Sequence, residues 1–127
     1  ISGYIHQYKI AKNGLQTIDN HYPLINAEEV INERPFKILI EIIPILFESS
    51  GRKGLYSYTV KHDLENITRF HHFYNGHTIL AFLCCGFKIT TRKDAMSVSI
   101  KARYKDISKM NFESWIKKLL DIDYSPK

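Results

Sequence analysis

Cysteine is scarce in this chain of 127 residues: there are two, Cys84 and Cys85, and they are adjacent. Neighbours on a strand point to opposite faces, so the pair is not expected to bridge within the chain. That excludes a disulfide scaffold and favours a reducing compartment. Glycine and proline are also few, at 6 and 4. The glycines are scattered, so no Gly-rich phosphate loop forms. No apolar run approaches the roughly 18 residues of a membrane span. The longest, Ile38 to Phe47, is interrupted by Glu41 and Pro44. The chain starts with Ile rather than Met and shows no signal peptide, so the expectation is one domain, residues 1–127, excised from a larger cytoplasmic protein.

Chemistry-bearing groupings are thin as well. His71, His72 and His77 crowd the stretch RFHHFYNGH, but adjacent strand residues cannot chelate one ion together, so no metal site is expected. The stretch around Lys61 resembles part of a nuclease core, yet Thr59 stands where a second acid is needed to complete a Mg²⁺ cage. No nucleophile with a base is defined by spacing. The chain is therefore expected to be no enzyme and to carry no cofactor.

Positive charge and aromatic residues are abundant. Lys and Arg number 18 against 13 Asp and Glu, a net charge of +5, and aromatics make up 13%. The first favours acidic partners, and the second favours pleated structure. Two Asn-Gly pairs, Asn13-Gly14 and Asn75-Gly76, sit between extended-looking runs, the strongest short hairpin signal. Strands are predicted at about 4–11, 15–20, 36–48, 55–62, 67–74, 77–90 and 95–104. In the last, Met96, Val98, Ile100, Ala102 and Tyr104 alternate with Ser97, Ser99, Lys101 and Arg103, the pattern of a half-buried strand. The period then changes. Phe112, Trp115, Ile116 and Leu119 form one helical stripe, predicting a helix over about 112–122. The fold class expected is mainly β: a seven-stranded, antiparallel, bent sheet or partly open barrel, plugged by that helix.

This order, from GYIHQYKI through MSVSIKARY to FESWIKKLL with Trp115, resembles the pleckstrin-homology fold over nearly the whole chain. The resemblance implies a non-catalytic adaptor or scaffold domain within a larger signalling protein. It implies phosphate-gripping basic residues near the end of the first strand and the loop after it, which Lys9 and Lys12 match. Arg52 and Lys53, in a second loop, would complete a cationic mouth.

The leading expectation is thus weak, peripheral binding to anionic phosphoinositide membrane through Lys9, Lys12, Arg52 and Lys53. Each Lys beside an anionic bilayer contributes about 1 kcal/mol. The second strand, LQTID, has no Lys or Arg, which opens an alternative: protein–protein interaction or self-association, with Lys101 and Arg103 on a partner surface. A third expectation is single-stranded nucleic acid, stacked on Phe70, Phe73 and Tyr74 of RFHHFYNGH, which are interleaved with Arg69.

Overall fold

The run from Phe36 to Leu46 is a helix, not the central strand its apolar density predicts. Phe36, Leu39, Ile42, Ile43 and Leu46 are buried, while Lys37 and Glu41 are exposed. That spacing is the 3.6-residue period of one buried helical face. Pro35 in the first turn, where its missing N–H costs nothing, starts it. The structure, a computed structural model, describes residues 1–52, 54–69 and 72–106. Lys53 and the whole predicted helix, with Phe112, Trp115, Ile116 and Leu119, lie outside the described residues.

In chain order the elements are α1 (Ser2–Tyr8), β1 (Ile10–Ala11), β2 (Gly14–Leu15), α2 (Ala27–Val30), α3 (Arg34–Leu46), β3 (Phe47–Ser49), β4 (Leu55–Tyr56), α4 (Ser57–Thr68), α5 (Asn75–Cys84), β5 (Ile89–Thr91), β6 (Val98–Ile100) and β7 (Ala102–Tyr104). Five helices and seven strands of two or three residues, counted among the described residues, overturn the mainly β expectation. The strands form three small antiparallel sheets, ordered β1-β2, β3-β7 and β4-β6-β5, rather than one bent sheet or barrel.

The individual corrections have local causes. Residues 4–11 are mostly α1, closed by Lys9 in the left-handed region at φ 54°. Of residues 15–20 only Leu15 belongs to a strand, beyond which Thr17 and Asn20 form an isolated bridge. Residues 55–62 are β4 running directly into α4, where Ser57, Val60, Lys61, Leu64 and Thr68 are buried at helical spacing. Of residues 67–74, Ile67 and Thr68 end α4 and Arg69 turns at φ 56°. Residues 77–90 hold α5 and then the start of β5, with Cys84 and Cys85 at the helix end, free and half-buried. Only the last prediction, 95–104, keeps its strand character, as β6 and β7.

The two Asn-Gly pairs part ways. The first hairpin exists, with Ile10 opposite Leu15 and Ala11 opposite Gly14, so its loop is Lys12-Asn13, one residue earlier than predicted. Gly14, at φ 138°, packs so near Met96 that a Cβ would stand 2.5 Å from the Met96 carbonyl oxygen. The second pair opens α5. Gly76 N–H donates to the Lys12 carbonyl at 2.9 Å, drawing the hairpin onto the helix. Every residue of α5 from Asn75 to Leu83 is buried, with α3, α4 and the β1–β2 hairpin packed round it. Phe47 and Phe82 meet edge-on, their ring centroids 4.9 Å apart. Each fully buried Ile, Leu or Phe of this core contributes about 1.5–3 kcal/mol.

Candidate functional site

The β4-β6-β5 sheet turns one face inward and one outward. Register places Leu55, Ile100 and Ile89 in one row, and Tyr56, Ser99 and Thr90 in the next. Ile100 is fully buried, whereas Tyr56 is 43% exposed, so the Tyr56 row is the outer one. Two residues further along, just beyond the ends of β5 and β6, Lys101 N–H donates to the Lys88 carbonyl at 2.8 Å and extends the ladder by one step. At the opposite end Arg92 reaches back over the Tyr56 ring, its guanidinium carbon 5.7 Å from the centroid.

The face continues onto β3 and β7, because Ser50 N–H donates to the Lys101 carbonyl at 3.1 Å. Ser49, Ser50, Gly51, Arg52 and Arg103 there line a depression of about 480 Å³. Arg103 donates through Nη2 to Glu48 Oε2 at 2.8 Å. Both side chains of that pair are well exposed, so it is weak and leaves the fork's other donors for a ligand. Arg92 thus sits over the exposed Tyr56, Lys88 and Lys101 meet two residues further along the same ladder, and Arg52 and Arg103 line an adjoining depression joined to Lys101 through the Ser50 N–H.

Of the sequence-predicted residues, this surface unites Arg52, Lys101 and Arg103. Lys12 lies elsewhere, whereas Lys9 borders the Arg92 end of the surface, where the two line one depression with Gln16 and Asp94. Lys12, in the hairpin loop, sits 4.1 Å above the Tyr74 ring and borders a third. Sequence reasoning missed Tyr56, Lys88 and Arg92 as members of a site. The alternation of Ser99, Lys101 and Arg103 was a readable signal for the face. Its neighbours β4 and β5 were not, since each is two or three residues long.

The depression beside Lys12, about 370 Å³, also holds Tyr22, Asn26, Glu29, Glu33 and His77. His77 points from the first turn of α5, its side chain 3% exposed and its Nε2 3.4 Å from Glu33 Oε2. Burial, with the charges of Lys12 and His72, lowers its pKa to about 4. The ring is therefore neutral near pH 7. With the proton on Nε2 facing the carboxylate, Nδ1 is a buried acceptor with no partner among the described residues. The arrangement ties α5 to the start of α3.

Another titratable cluster surrounds Glu65. It accepts from Phe73 N–H at 2.7 Å, and Lys61, His62 and His72 approach it at 3.3, 3.1 and 3.5 Å. Burial alone would raise its pKa, but the Phe73 N–H, Lys61 and His62 outweigh burial and lower it. This node pins the segment before α5 against α4.

Among the described residues no three His, Cys, Asp or Glu side chains are placed to hold a metal ion. Among the same residues no helix is long and apolar enough to cross a membrane. Comparison with protein-family models, with curated proteins and with solved structures finds no match to this chain.

Proposed function

We propose that the chain is a non-catalytic binding domain that docks a phosphate-bearing anionic partner on the outer face of the β4-β6-β5 sheet and its β3-β7 extension. The observation that carries this reading is the backbone continuity, through Lys88, Lys101 and Ser50, between the strands that hold Tyr56 and Arg92 and the depression lined by Arg52 and Arg103. Arginine forks match phosphate geometry with two parallel hydrogen bonds. At about 1 kcal/mol per cation, five cations give a dissociation constant between millimolar and high micromolar, the strength of an adaptor or targeting domain. Phosphoinositide head groups and phosphate-bearing polymers both satisfy this reading, which gives Lys101 and Arg103 the role first expected of Lys9 and Lys12.

The test compares two charge reversals. Lys101→Glu with Arg103→Glu abolishes retention on phosphocellulose, whereas Lys12→Glu leaves most of it. The opposite pattern, or no retention of the unaltered protein, refutes the proposal. A second reading, a protein partner, is favoured by the 16–22 loop, where Ile18 and Tyr22 stand 74% and 54% exposed. A pull-down that survives high salt and fails with Ile18→Ser would favour it.

A further inference from the structure

We infer that the partner of the basic sheet face is single-stranded nucleic acid, with one base stacked on Tyr56 and the flanking phosphates held by Lys88, Lys101 and Arg92. This rests on the anionic-partner reading and goes beyond it by naming the partner. The discriminating residue is Tyr56. A lipid head group or a bare polyphosphate has no use for an aromatic ring at the centre of a cationic surface. A nucleotide presents a flat π-face and a phosphate at short distance from each other, and aromatic platforms flanked by cations bind such strands with little regard to sequence.

The geometry fits one such unit. Tyr56 lies in the outer row with Ser99 and Thr90, both small, and the Arg92 guanidinium stands over one side of its ring. Gly54, two residues before it, has no side chain, and a Cβ there would overlap the Ser99 hydroxyl. The middle of the face is therefore low, with Tyr56 as its aromatic wall. Lys88 and Lys101 lie two residues from the Thr90–Ser99 pair, at the end of the β5–β6 ladder, with their backbones hydrogen-bonded. Arg92 approaches from the opposite end and already associates with the ring, the geometry in which a guanidinium extends an aromatic stack. A strand crossing the sheet would meet cation, ring and cation in succession. The Arg52–Arg103 depression extends the track by a further phosphate.

The test measures anisotropy of labelled oligothymidylate and oligouridylate of about 12 nucleotides, with inorganic polyphosphate and phosphoinositide-containing vesicles as parallel probes. The unaltered protein binds the oligonucleotides, and affinity falls linearly on a log–log plot against salt. Tyr56→Phe retains binding. Tyr56→Leu and Tyr56→Ala each weaken it about tenfold and leave polyphosphate binding unchanged. Lys101→Gln weakens binding to both and lowers the salt slope by about 0.7. Circular dichroism melts of each variant separate lost binding from lost folding, and Tyr56→Leu preserves bulk should Tyr56→Ala unfold. Oligonucleotide binding indifferent to Tyr56→Leu overturns the inference, as does binding of vesicles alone. Polyphosphate bound as well as the oligonucleotides also overturns it while sparing the anionic-partner reading. Binding of none of the probes overturns both.

Discussion

The Cys85 thiol lies 3.9 Å from the carbonyl oxygen of Ile40, and Ile40 stands four residues before Pro44 in the same helix. A helical carbonyl is ordinarily met by the N–H four residues on, and proline has none. The sulfur hydrogen takes that place from the end of the neighbouring helix. Burial, with Cys84 beside it, raises the Cys85 pKa to about 11, so the thiol keeps its proton near pH 7 and remains a donor. Cys85→Ser is therefore expected to cost little, whereas Cys85→Ala costs about 1 kcal/mol by orphaning the carbonyl. Urea denaturation of the pair checks this, and equal losses for Ser and Ala would reject the thiol as donor.

Gly76 is held by backbone rather than by side chains. Its N–H donates to the Lys12 carbonyl, and a Cβ would fall on the carbonyl of Ala11. A backbone oxygen cannot swing aside, so Gly76→Ala must push the hairpin off α5. The expected loss is about 3 kcal/mol, roughly 10 °C in Tm. Gly51→Ala, where a Cβ meets nothing within 4 Å, is the control and should melt within about 2 °C of the unaltered protein.

These packing relations show how far the sequence was legible. The stretch from Val98 to Arg103 was readable because burial alternates with exposure there; at its ends the alternation fails, since Ser97 is buried against Asn75 and Tyr104 is exposed. The α3 run was readable in principle, since Phe36, Leu39, Ile42, Ile43 and Leu46 carry the helical period. Its high apolar content, with Ile38 and Ile40 filling the gaps, hid that period. α5 was not readable by periodicity at all, because a helix buried on every side has no polar face. Asn75-Gly76 imitates a hairpin turn locally, and only the tertiary approach of Ala11 and Lys12 explains the glycine. The site was half legible. Lys101 and Arg103 followed from alternation, but their union with Arg52 depends on pairings between β3 and β7 that lie more than fifty residues apart.

Glu65 is expected to dominate the electrostatic stability. Its side chain is 13% exposed and the Lys61 side chain 8%, and Glu65 also receives the Phe73 N–H. Glu65→Gln keeps the shape but leaves a buried ammonium uncompensated, at a cost of about 3 kcal/mol. Glu48→Gln, which breaks the exposed pair with Arg103, should change stability by about 0.5 kcal/mol or less. Because the folded state lowers the Glu65 pKa, its contribution is complete above the unfolded carboxylate value and is lost as pH falls through the folded one. Comparable losses for Glu65→Gln and Glu48→Gln would remove Glu65 from that role.

His77 gives an acid limit with the sign of a depressed base. Its ordinary pKa of 6.5 falls to about 4 in the fold, because burial and the charges of Lys12 and His72 oppose protonation. Glu33, partly exposed at 3.4 Å, pulls the other way without overcoming burial. Between those two values the unfolded chain binds a proton that the folded chain refuses. Stability contributed by neutral His77 is thus complete above about pH 6.5, declines as pH falls, and levels off below about pH 4. The full swing is about 3 kcal/mol. Imidazole proton shifts followed from pH 7.5 to 3.5 are expected to show the His77 ring still neutral at pH 5, and urea denaturation should lose stability across the same window. A His77 resonance titrating near 6.5 would mean that the ring is hydrated, and the acid limit would then have to come from carboxylates such as Glu65.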